Sequence, residues 1–166
     1  HLSTANCDGK PSGRIMLLKG FDNSGFVFFS NYESRKGNEL ASNPYAAITF
    51  LWLALVRQVR IEGKVSQVSA AESDVYFQSR PRTSQISAWI SEQSKVVCDR
   101  AEFESRFRQA DKLFNGKPVK RPPHWGGYCL KPSRVVFWQG RAGRMHDRIA
   151  YVSNTDGAWE VQRLFP

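Results

Sequence analysis

Residues 14–30, with the sequence RIMLLKGFDNSGFVFFS, decide the class of fold that this chain is expected to adopt. Residues 14–19 form an apolar segment flanked by cations, and residues 26–30 form a second one rich in Phe and Val, which favour strands. Residues 22–25, DNSG, lie between them and have the composition of a tight turn. Two such segments around a turn predict an antiparallel β-hairpin.

The rest of the chain continues this pattern of short strands. A short strand and a turn at residues 8–9, DG, precede the hairpin, and residues 154–157, NTDG, form the turn of a last hairpin. The other strand-like segments are residues 45–53, 58–68, 125–130, 134–139, 149–153 and 158–164. Seven or eight short strands, without βαβ alternation or a glycine-rich phosphate loop, predict a mainly β fold. We expect an antiparallel barrel with helices packed outside it.

The sequence predicts three helices between the strands. Ser34 is the expected N-cap of the first helix. Residues 69–79 begin with a capping box and form the second, and a short helical stretch after Pro81 reaches residue 89. Residues 100–114 have helical periodicity and predict a third helix packed on the sheet.

Length and charge limit the classes of protein to which the chain can belong. Its 166 residues fit a single domain, residues 1–166, with a substantial core. The net charge of +9 suits nucleic acid, an acidic membrane surface or anionic small molecules. The cations are scattered singly or in pairs, which favours pockets for phosphorylated ligands over a basic tail. No recognised nucleic-acid motif and no apolar run of membrane-spanning length occurs, so we expect neither nucleic acid nor membrane as a partner.

The three cysteines, Cys7, Cys98 and Cys129, are far apart and lack metal-ligand spacing. We therefore expect neither a disulfide framework nor a metal site. Free cysteines are typical of a reducing compartment, so the expected location is the cytoplasm, with an organellar form also compatible.

The first candidate site is residues 137–148, FWQGRAGRMHDR, which follow an apolar strand. Trp138 offers an aromatic face, and Arg144, His146 and Arg148 place two guanidinium groups on either side of an imidazole. Guanidinium groups suit phosphates and carboxylates, and like charges nearby favour a neutral histidine. The alternative interpretation is a solvated basic loop after an edge strand.

Two further candidates involve cations near polar groups. Arg35 and Lys36 lie at a helix N-terminus, where they oppose the helix dipole unless a phosphate binds there. The alternative is an exposed helix with a suboptimal first turn. Gln58 would place an amide inside the barrel, where a heterocycle could be its hydrogen-bond partner. The alternative is an interior amide satisfied by the protein.

A third candidate is a set of three side chains at steps of four residues. Tyr76, Arg80 and Ser84 offer a phenol, a guanidinium and a hydroxyl, all able to donate hydrogen bonds to a phosphate. They would form one stripe if the helix were continuous, but Pro81 interrupts it.

Six motifs, in this order along the chain, resemble one known family. They are residues 14–19 RIMLLK, 31–36 NYESRK, 57–59 RQV, 79–86 SRPRTSQI, 125–127 WGG and 137–148 FWQGRAGRMHDR. Together they resemble the pyridoxamine (pyridoxine) 5'-phosphate oxidases, FMN enzymes of vitamin B6 metabolism, from about residue 11 to residue 166. The resemblance implies an FMN-binding, Greek-key split β-barrel. The family also has an N-terminal segment that helps cover the active site, which this chain is expected to lack, and Met145 stands where leucine is usual.

The resemblance also implies the residues of the site. The expected FMN-binding residues are Arg14, Ile15, Met16, Leu17, Lys19, Phe29, Ser30, Arg35, Lys36, Gln58, Gln93, Ser94, Trp138 and Arg148. The expected substrate-binding residues are Lys19, Tyr76, Arg80, Ser84, Arg144 and His146. Arg144 and His146 are expected to act in catalysis by positioning and electrostatics, with His146 a candidate proton acceptor. The family implies a homodimer with the site at its interface.

The implied reaction is the oxidation of pyridoxamine 5'-phosphate or pyridoxine 5'-phosphate to pyridoxal 5'-phosphate. A hydride equivalent would pass to the flavin, and dioxygen would be reduced to hydrogen peroxide. The alternatives are another FMN-dependent split-barrel oxidoreductase, or a non-enzymatic module that binds flavin, a B6 phosphate or nucleic acid.

Overall fold

The computed structural model describes residues 1–166 and contains nine strands and four α-helices. The strands are β1 Leu2–Ala5, β2 Pro11–Arg14, β3 Gly20–Asp22, β4 Gly25–Asn31, β5 Tyr45–Trp52, β6 Arg57–Gln67, β7 Trp125–Gln139, β8 Asp147–Ser153 and β9 Trp159–Arg163. The helices are α1 Arg35–Ser42, α2 Ala70–Ser79, α3 Arg82–Ile90 and α4 Arg100–Leu113. Short 3-10 turns occupy Leu53–Leu55 and Ala142–Arg144.

All nine strands form one antiparallel sheet that divides at β7. The strand order is β2-β1-β5-β6-β7-β4-β3, and β8 with β9 continues from β7 separately. The first part of β7 pairs with β4 and its last part pairs with β8, while β6 lies along its other edge. The predicted mainly β, antiparallel split barrel is therefore confirmed.

The expectation of two separate strands at residues 125–130 and 134–139 is wrong, because both belong to the fifteen-residue strand β7. The pairing of β6 with β7 shifts register between Glu62 and Gly63, opposite Pro132 and Arg134. Such a bulge accommodates a proline, which has no N–H for the ladder. The strand thus continues past the proline as one element.

The first hairpin is also shorter than predicted. Only Arg14 of residues 14–19 lies in a strand, and β3 is the strand that returns into β4. Ile15 and Leu17 are 78% and 68% exposed, whereas Met16 packs against the main core. These residues are apolar because they lie beside a cleft. The sequence alone does not distinguish such residues from the apolar residues of a strand.

Two hydrophobic cores support the fold. The barrel core is formed by Leu2, Phe28, Leu40, Ala46, Ile48, Ile61, Val65, Tyr128 and Leu130. A second core lies beneath the helices and consists of Phe77, Ile86, Ala88, Val119 and Trp125. The predicted helix at 100–114 is confirmed as α4, but it packs its apolar side on this second core and on α3, and so reaches the sheet only indirectly.

The helix ends follow the predicted caps. The Ser34 hydroxyl accepts a hydrogen bond from the Gly37 N–H, and Ser69 with Glu72 forms the capping box of α2. Pro81 separates α2 from α3, so the four-residue stripe is not on one continuous helix. The cysteines are free, and no cluster of three or more metal-ligating side chains occurs. None of the helices combines the length and the apolar character needed to span a membrane.

Candidate active site

A cavity of about 720 Å³ lies between residues 15–19, β4, the start of β7 and the corner where α2 meets α3. Its volume is that of a site for a small molecule or cofactor. Lys19 and Arg80 are the two cations that line it, and no carboxylate does. The other lining residues are Ile15, Met16, Leu17, Phe29, Ser30, Asn31, Tyr76, Ser79, Pro81, Ser84, Ser87, Ala88, Ser91, Gln93 and Trp125. The cleft is therefore suited to an anionic ligand.

The turn at Pro81 brings the predicted substrate residues into this cleft. Tyr76 comes from α2, Arg80 caps its C-terminus, and Ser84 lies in the first turn of α3. Neither Arg80 nor Lys19 has a carboxylate partner, and the buried Arg80 Nη1 has no hydrogen-bond partner. Burial lowers the pKa of Arg80 from its ordinary value, with an opposing effect of Tyr76.

Three aromatic rings form one wall of the cleft. Phe29 stacks on Tyr76 with a centroid distance of 3.9 Å, and Trp125 lies 5.6 Å from Phe29 with nearly parallel planes. Lys19 Nζ lies 5.6 Å from the Tyr76 ring, and Arg80 Cζ lies 4.5 Å from the Trp125 ring. Both distances are within the range of cation–π interactions. Sequence reasoning identified four of these five residues and missed Trp125.

A buried lysine marks a second anionic subsite beside the cleft. Lys36 is 6% exposed, and its Nζ donates to Ser30 Oγ at 2.9 Å, Gln93 Oε1 at 3.0 Å and Ser34 Oγ at 3.2 Å. Burial and the charge of Arg14 lower its pKa to about 8, against the opposing effect of Glu39. Three of the predicted cofactor residues, Lys36, Ser30 and Gln93, are thus in direct contact.

The N-terminus of α1 lies next to this lysine. The Arg35 N–H donates to Ser94 Oγ at 3.2 Å, which places two more predicted cofactor residues together. A helix N-terminus with cationic side chains is suited to a phosphate group.

Glu39 on α1 organises the arginines of this region and was missed by sequence reasoning. Its carboxylate accepts hydrogen bonds from Arg35 Nε at 2.9 Å, Ser12 Oγ at 2.6 Å and Thr4 Oγ1 at 2.5 Å, and it lies 3.5 Å from Arg14 Nη2. The side chain of Arg14 bonds to this network and does not line the cleft. No sequence signal separates Glu39 from an ordinary surface glutamate.

The remaining predicted cofactor residues form a second group. Gln58 on β6 is opposite Trp138 on β7, which is opposite Arg148 on β8, so the three are cross-strand neighbours in a row. They line a separate cavity of about 250 Å³, together with Arg60, Val136 and Pro166. The Gln58 amide lines this cavity, where it is available to a ligand. Arg60 was missed, although its spacing of two from Gln58 places it on the same face of β6.

His146 lies against this second group. Its ring is 4.8 Å from that of Trp138, and its Nδ1 accepts a hydrogen bond from the Arg141 N–H at 3.1 Å. This hydrogen bond fits the tautomer that carries its proton on Nε2. Arg144 is exposed beside it, in the left-handed backbone region with φ 61°.

The two groups of predicted site residues lie at opposite ends of β7. Phe29 in the cleft is opposite Gly127, and Gln58 is opposite Trp138, eleven residues further along β7. At about 3.3 Å per residue this separation is roughly 35 Å along the strand. Within one protomer the two groups therefore line two separate cavities.

Both parts of the chain match models of one known protein family. Residues 1–114 match the family model described as pyridoxamine 5'-phosphate oxidase. Residues 125–166 match the model described as the pyridoxine 5'-phosphate oxidase C-terminal dimerisation region. The chain belongs to the pyridoxamine 5'-phosphate oxidase family.

Individual relatives agree with this assignment. A pyridoxine/pyridoxamine 5'-phosphate oxidase of Paraburkholderia phymatum is 54% identical over 99% of this chain and 77% of its own length. One of Ectopseudomonas mendocina is 55% identical over 99% of this chain and 76% of its own length. Among solved structures, PhzG from Burkholderia lata, in complex with tetrahydrophenazine-1-carboxylic acid, is 28% identical with a TM-score of 0.92 over 99% of this chain and 80% of that one. A pyridoxamine 5'-phosphate oxidase-related, FMN binding protein from Nostoc punctiforme is 18% identical, with a TM-score of 0.77 over 99% of this chain and 86% of that one.

The family membership confirms three expectations from the sequence. The protein is an enzyme, its cofactor is FMN, and its C-terminal part is the region through which members of the family form dimers. The alternative of a non-enzymatic module is thereby excluded.

Proposed function

We propose that this enzyme oxidises pyridoxamine 5'-phosphate and pyridoxine 5'-phosphate to pyridoxal 5'-phosphate, with dioxygen reduced to hydrogen peroxide. The observation that carries the proposal is the cleft with two cations, Lys19 and Arg80, and no carboxylate to neutralise them. A phosphate ester supplies the missing negative charge, and Tyr76 and Ser84 offer further donors to its oxygens.

The phosphate of FMN has a separate set of groups. Arg35, Lys36 and Ser94 lie at the N-terminus of α1, with Ser30 and Gln93 on Lys36 Nζ. A phosphate bound there would favour the charged form of Lys36, which burial and Arg14 disfavour in the free protein. Residues 15–17, Lys19 and Phe29 would line the cofactor along the cleft, whereas the Arg14 side chain is held in the Glu39 network.

The residues present fit the rest of the cofactor as well. The Gln58 amide offers donors and an acceptor without a protein partner, Trp138 offers an aromatic face, and Arg148 offers a guanidinium. Bound FMN would supply the redox chemistry, accepting a hydride equivalent from the substrate carbon and passing electrons to dioxygen.

We further propose that the second group comes from the other subunit of a homodimer. None of Gln58, Trp138, Arg148, Arg144 and His146 lines the cleft of its own chain, and the first three line a separate cavity. They belong to, or adjoin, the region that matches the family's dimerisation model. Two equivalent sites would then form, each with residues from both chains.

Arg144 and His146 are proposed to position the substrate ring. With Nδ1 occupied by the Arg141 N–H, His146 presents Nε2–H as a donor to the substrate. This tautomer favours a positioning role over that of a general base, because the nitrogen available to substrate already carries a proton. Arg144 adds a fixed positive charge with no ion pair in the free chain.

The test is an absorbance spectrum of the purified protein before and after anaerobic addition of pyridoxamine 5'-phosphate. Oxidised flavin bands near roughly 370 and 450 nm should bleach and return with air, with hydrogen peroxide formed in proportion to pyridoxal 5'-phosphate. Flavin bands that persist would contradict the proposed substrate. A protein that fails to take up FMN would contradict the proposed cofactor site.

The likeness to PhzG supports a second candidate substrate, a partly reduced phenazine carboxylic acid. The same anaerobic experiment with tetrahydrophenazine-1-carboxylic acid separates the two. We expect bleaching with the phosphate ester alone, because the free cations of the cleft lie among hydroxyl donors suited to a phosphate. Preferential bleaching by the phenazine compound would favour the second candidate.

A further inference from the structure

Arg80 is held in the cleft by an aromatic face. Its guanidinium carbon lies 4.5 Å from the Trp125 ring and 5.7 Å from the Phe77 ring. It has no salt-bridge partner, and its buried Nη1 has no hydrogen-bond partner. An arginine has several rotatable bonds, so contact with these rings is what restricts this one to a single arrangement.

Trp125 is itself rigidly fixed. It is 7% exposed, belongs to the second core and packs edge-on against the fully buried Phe77 at a centroid distance of 5.2 Å. Its carbonyl accepts a hydrogen bond from Arg121 Nη1 at 2.7 Å, and Arg121 forms an ion pair with Asp74 of α2. The first residue of β7 is thereby tied to the helix that ends at Arg80.

The second cation of the cleft lies over another ring of the same aromatic wall. Lys19 Nζ lies 5.6 Å from the Tyr76 ring, and the Tyr76 and Trp125 planes are within 9° of each other, with their centroids 6.2 Å apart. The two cations of the cleft therefore each lie over a ring of one rigid cluster. Because the rings are fixed, the spacing of the two positive charges is fixed as well.

We propose that Trp125 is a positioning residue for Arg80 and thereby determines specificity for a phosphorylated substrate. The inference rests on the proposed function, in which Arg80 binds the substrate phosphate. Trp125 offsets the cost of desolvating the guanidinium and holds its charge where a phosphate must bind, without itself contacting that phosphate.

The experiment measures binding to the FMN-loaded enzyme, so that it does not depend on turnover. The probe is 4-deoxypyridoxine 5'-phosphate, which lacks the oxidisable group, and its dissociation constant is measured by titration calorimetry alongside that of unphosphorylated 4-deoxypyridoxine. We expect Trp125→Leu to weaken binding of the phosphorylated probe by about tenfold and that of the unphosphorylated one by less than about twofold. Trp125→Phe, which keeps a smaller aromatic face, should restore most of the affinity.

A double-mutant cycle distinguishes positioning from a general structural role. If Trp125 acts through Arg80, adding Trp125→Leu to Arg80→Ala should cause almost no further loss of affinity for the phosphorylated probe. Trp89→Leu is the matched control, because Trp89 lies on α3 outside the cleft and packs against Phe114. Its dissociation constants and FMN content should equal those of the unmodified enzyme.

Additive losses in the cycle, or equal losses for both probes, would overturn the inference. Unchanged binding by Trp125→Leu would also overturn it. If the enzyme binds the phosphorylated probe but does not oxidise pyridoxamine 5'-phosphate, the proposed function fails while the role of Trp125 is still decided by the same cycle. If Arg80→Ala binds the probe as tightly as the unmodified enzyme, Arg80 does not hold the phosphate and the inference is wrong.

Discussion

At the scale of single residues, Glu39 and Lys36 are the one buried acid and the one buried base of the chain. Both lie on α1, next to the proposed phosphate site of FMN. Glu39 balances the charges of Arg14 and Arg35, whereas Lys36 lacks a close carboxylate and is held by neutral oxygens. Lys36 is thus able to respond to a bound anion.

Glu39→Gln should destabilise the fold by about 1–3 kcal/mol at pH 7, because it removes a charged acceptor from three hydrogen-bond donors and from the ion pair with Arg14. Burial opposes ionisation, but hydrogen bonds from Ser12, Thr4 and Arg35 outweigh it and lower the pKa of Glu39 to about 2. A lowered folded-state pKa stabilises the fold above pH 4.5, and this contribution is lost as the pH falls from 4.5 towards 2. Urea unfolding at pH 7, 5 and 3.5 should show that the difference in free energy of unfolding between the unmodified protein and Glu39→Gln decreases as the pH falls.

Glu33→Gln is the control for this measurement, since the Glu33 side chain is exposed and forms no ion pair. It should change the free energy of unfolding by less than about 0.5 kcal/mol at every pH. If the loss of stability in Glu39→Gln stays constant down to pH 3.5, the ionised carboxylate of Glu39 does not stabilise the fold as proposed.

The affinity for FMN should fall as the pH rises above 8. The pKa of Lys36 is about 8 in the free protein, and a bound phosphate favours the protonated form, so binding takes up a proton at higher pH. The expected loss is up to about tenfold in the dissociation constant per pH unit, measured by flavin fluorescence from pH 7 to 9.5. The stability of the apoprotein should change in the opposite direction, rising between pH 8 and 10.5, because the folded state there binds fewer protons than the unfolded state.

Lys36→Met tests the assignment of this pH dependence. It should weaken FMN binding by at least about tenfold at pH 7 and flatten the profile above pH 8. Lys64→Met, on an exposed position of β6, should keep the original profile. A profile that remains steep in Lys36→Met would assign the titration to another group.

At the scale of elements, the pairing of β6 with β7 contains a bulge. Gly63 lies at the register shift, and a Cβ placed there would overlap the carbonyl oxygen of Lys131. Only glycine allows the two strands to approach this closely.

Gly63→Ala should therefore lower the stability by about 1–3 kcal/mol through overlap with backbone atoms that cannot move aside. Thermal unfolding would record this as a reduced Tm. Gly20→Ala is the matched control, because nothing lies within 4 Å of a Cβ built on Gly20. If Gly63→Ala unfolds at the original temperature, β6 and β7 can move apart to accommodate the Cβ without loss of stability.

At the scale of the whole molecule, large apolar side chains remain exposed at the end of β5, between β5 and β6, and on β7 and β9. They include Leu51, Trp52, Leu53, Leu55, Val56, Phe137, Trp159 and Val161. A surface of this kind is characteristic of a region that another chain covers. It includes residues of the region that matches the dimerisation model.

Leu53→Asp should produce a monomer that has also lost most of its FMN. Leu53 is 79% exposed in the free chain, and a buried aspartate would oppose dimerisation. Light scattering with size-exclusion chromatography gives the mass, and the absorbance ratio gives the flavin content. Leu113→Asp, at the exposed end of α4, should remain a dimer with full flavin. A Leu53→Asp monomer that keeps its FMN would contradict a site shared between subunits.

The sequence by itself determined the elements that depend on local interactions. The caps at Ser34 and Ser69, the turn at residues 154–157 and the strands β5 and β6 were all predicted correctly, because they depend on short-range hydrogen bonds and side-chain alternation. The ordered motifs determined the family. They did so without revealing which residues meet in space.

The tertiary structure alone decided what depends on contacts distant in sequence. The continuity of β7 through Pro132 depends on a bulge in β7 itself at Ser133, and Trp125 meets Arg80 only because β7 begins beneath the corner of α2 and α3. The roughly 35 Å between the two groups of site residues along β7 likewise follows from strand register. Such contacts are set by the packing of the whole chain, and a local pattern carries no information about them.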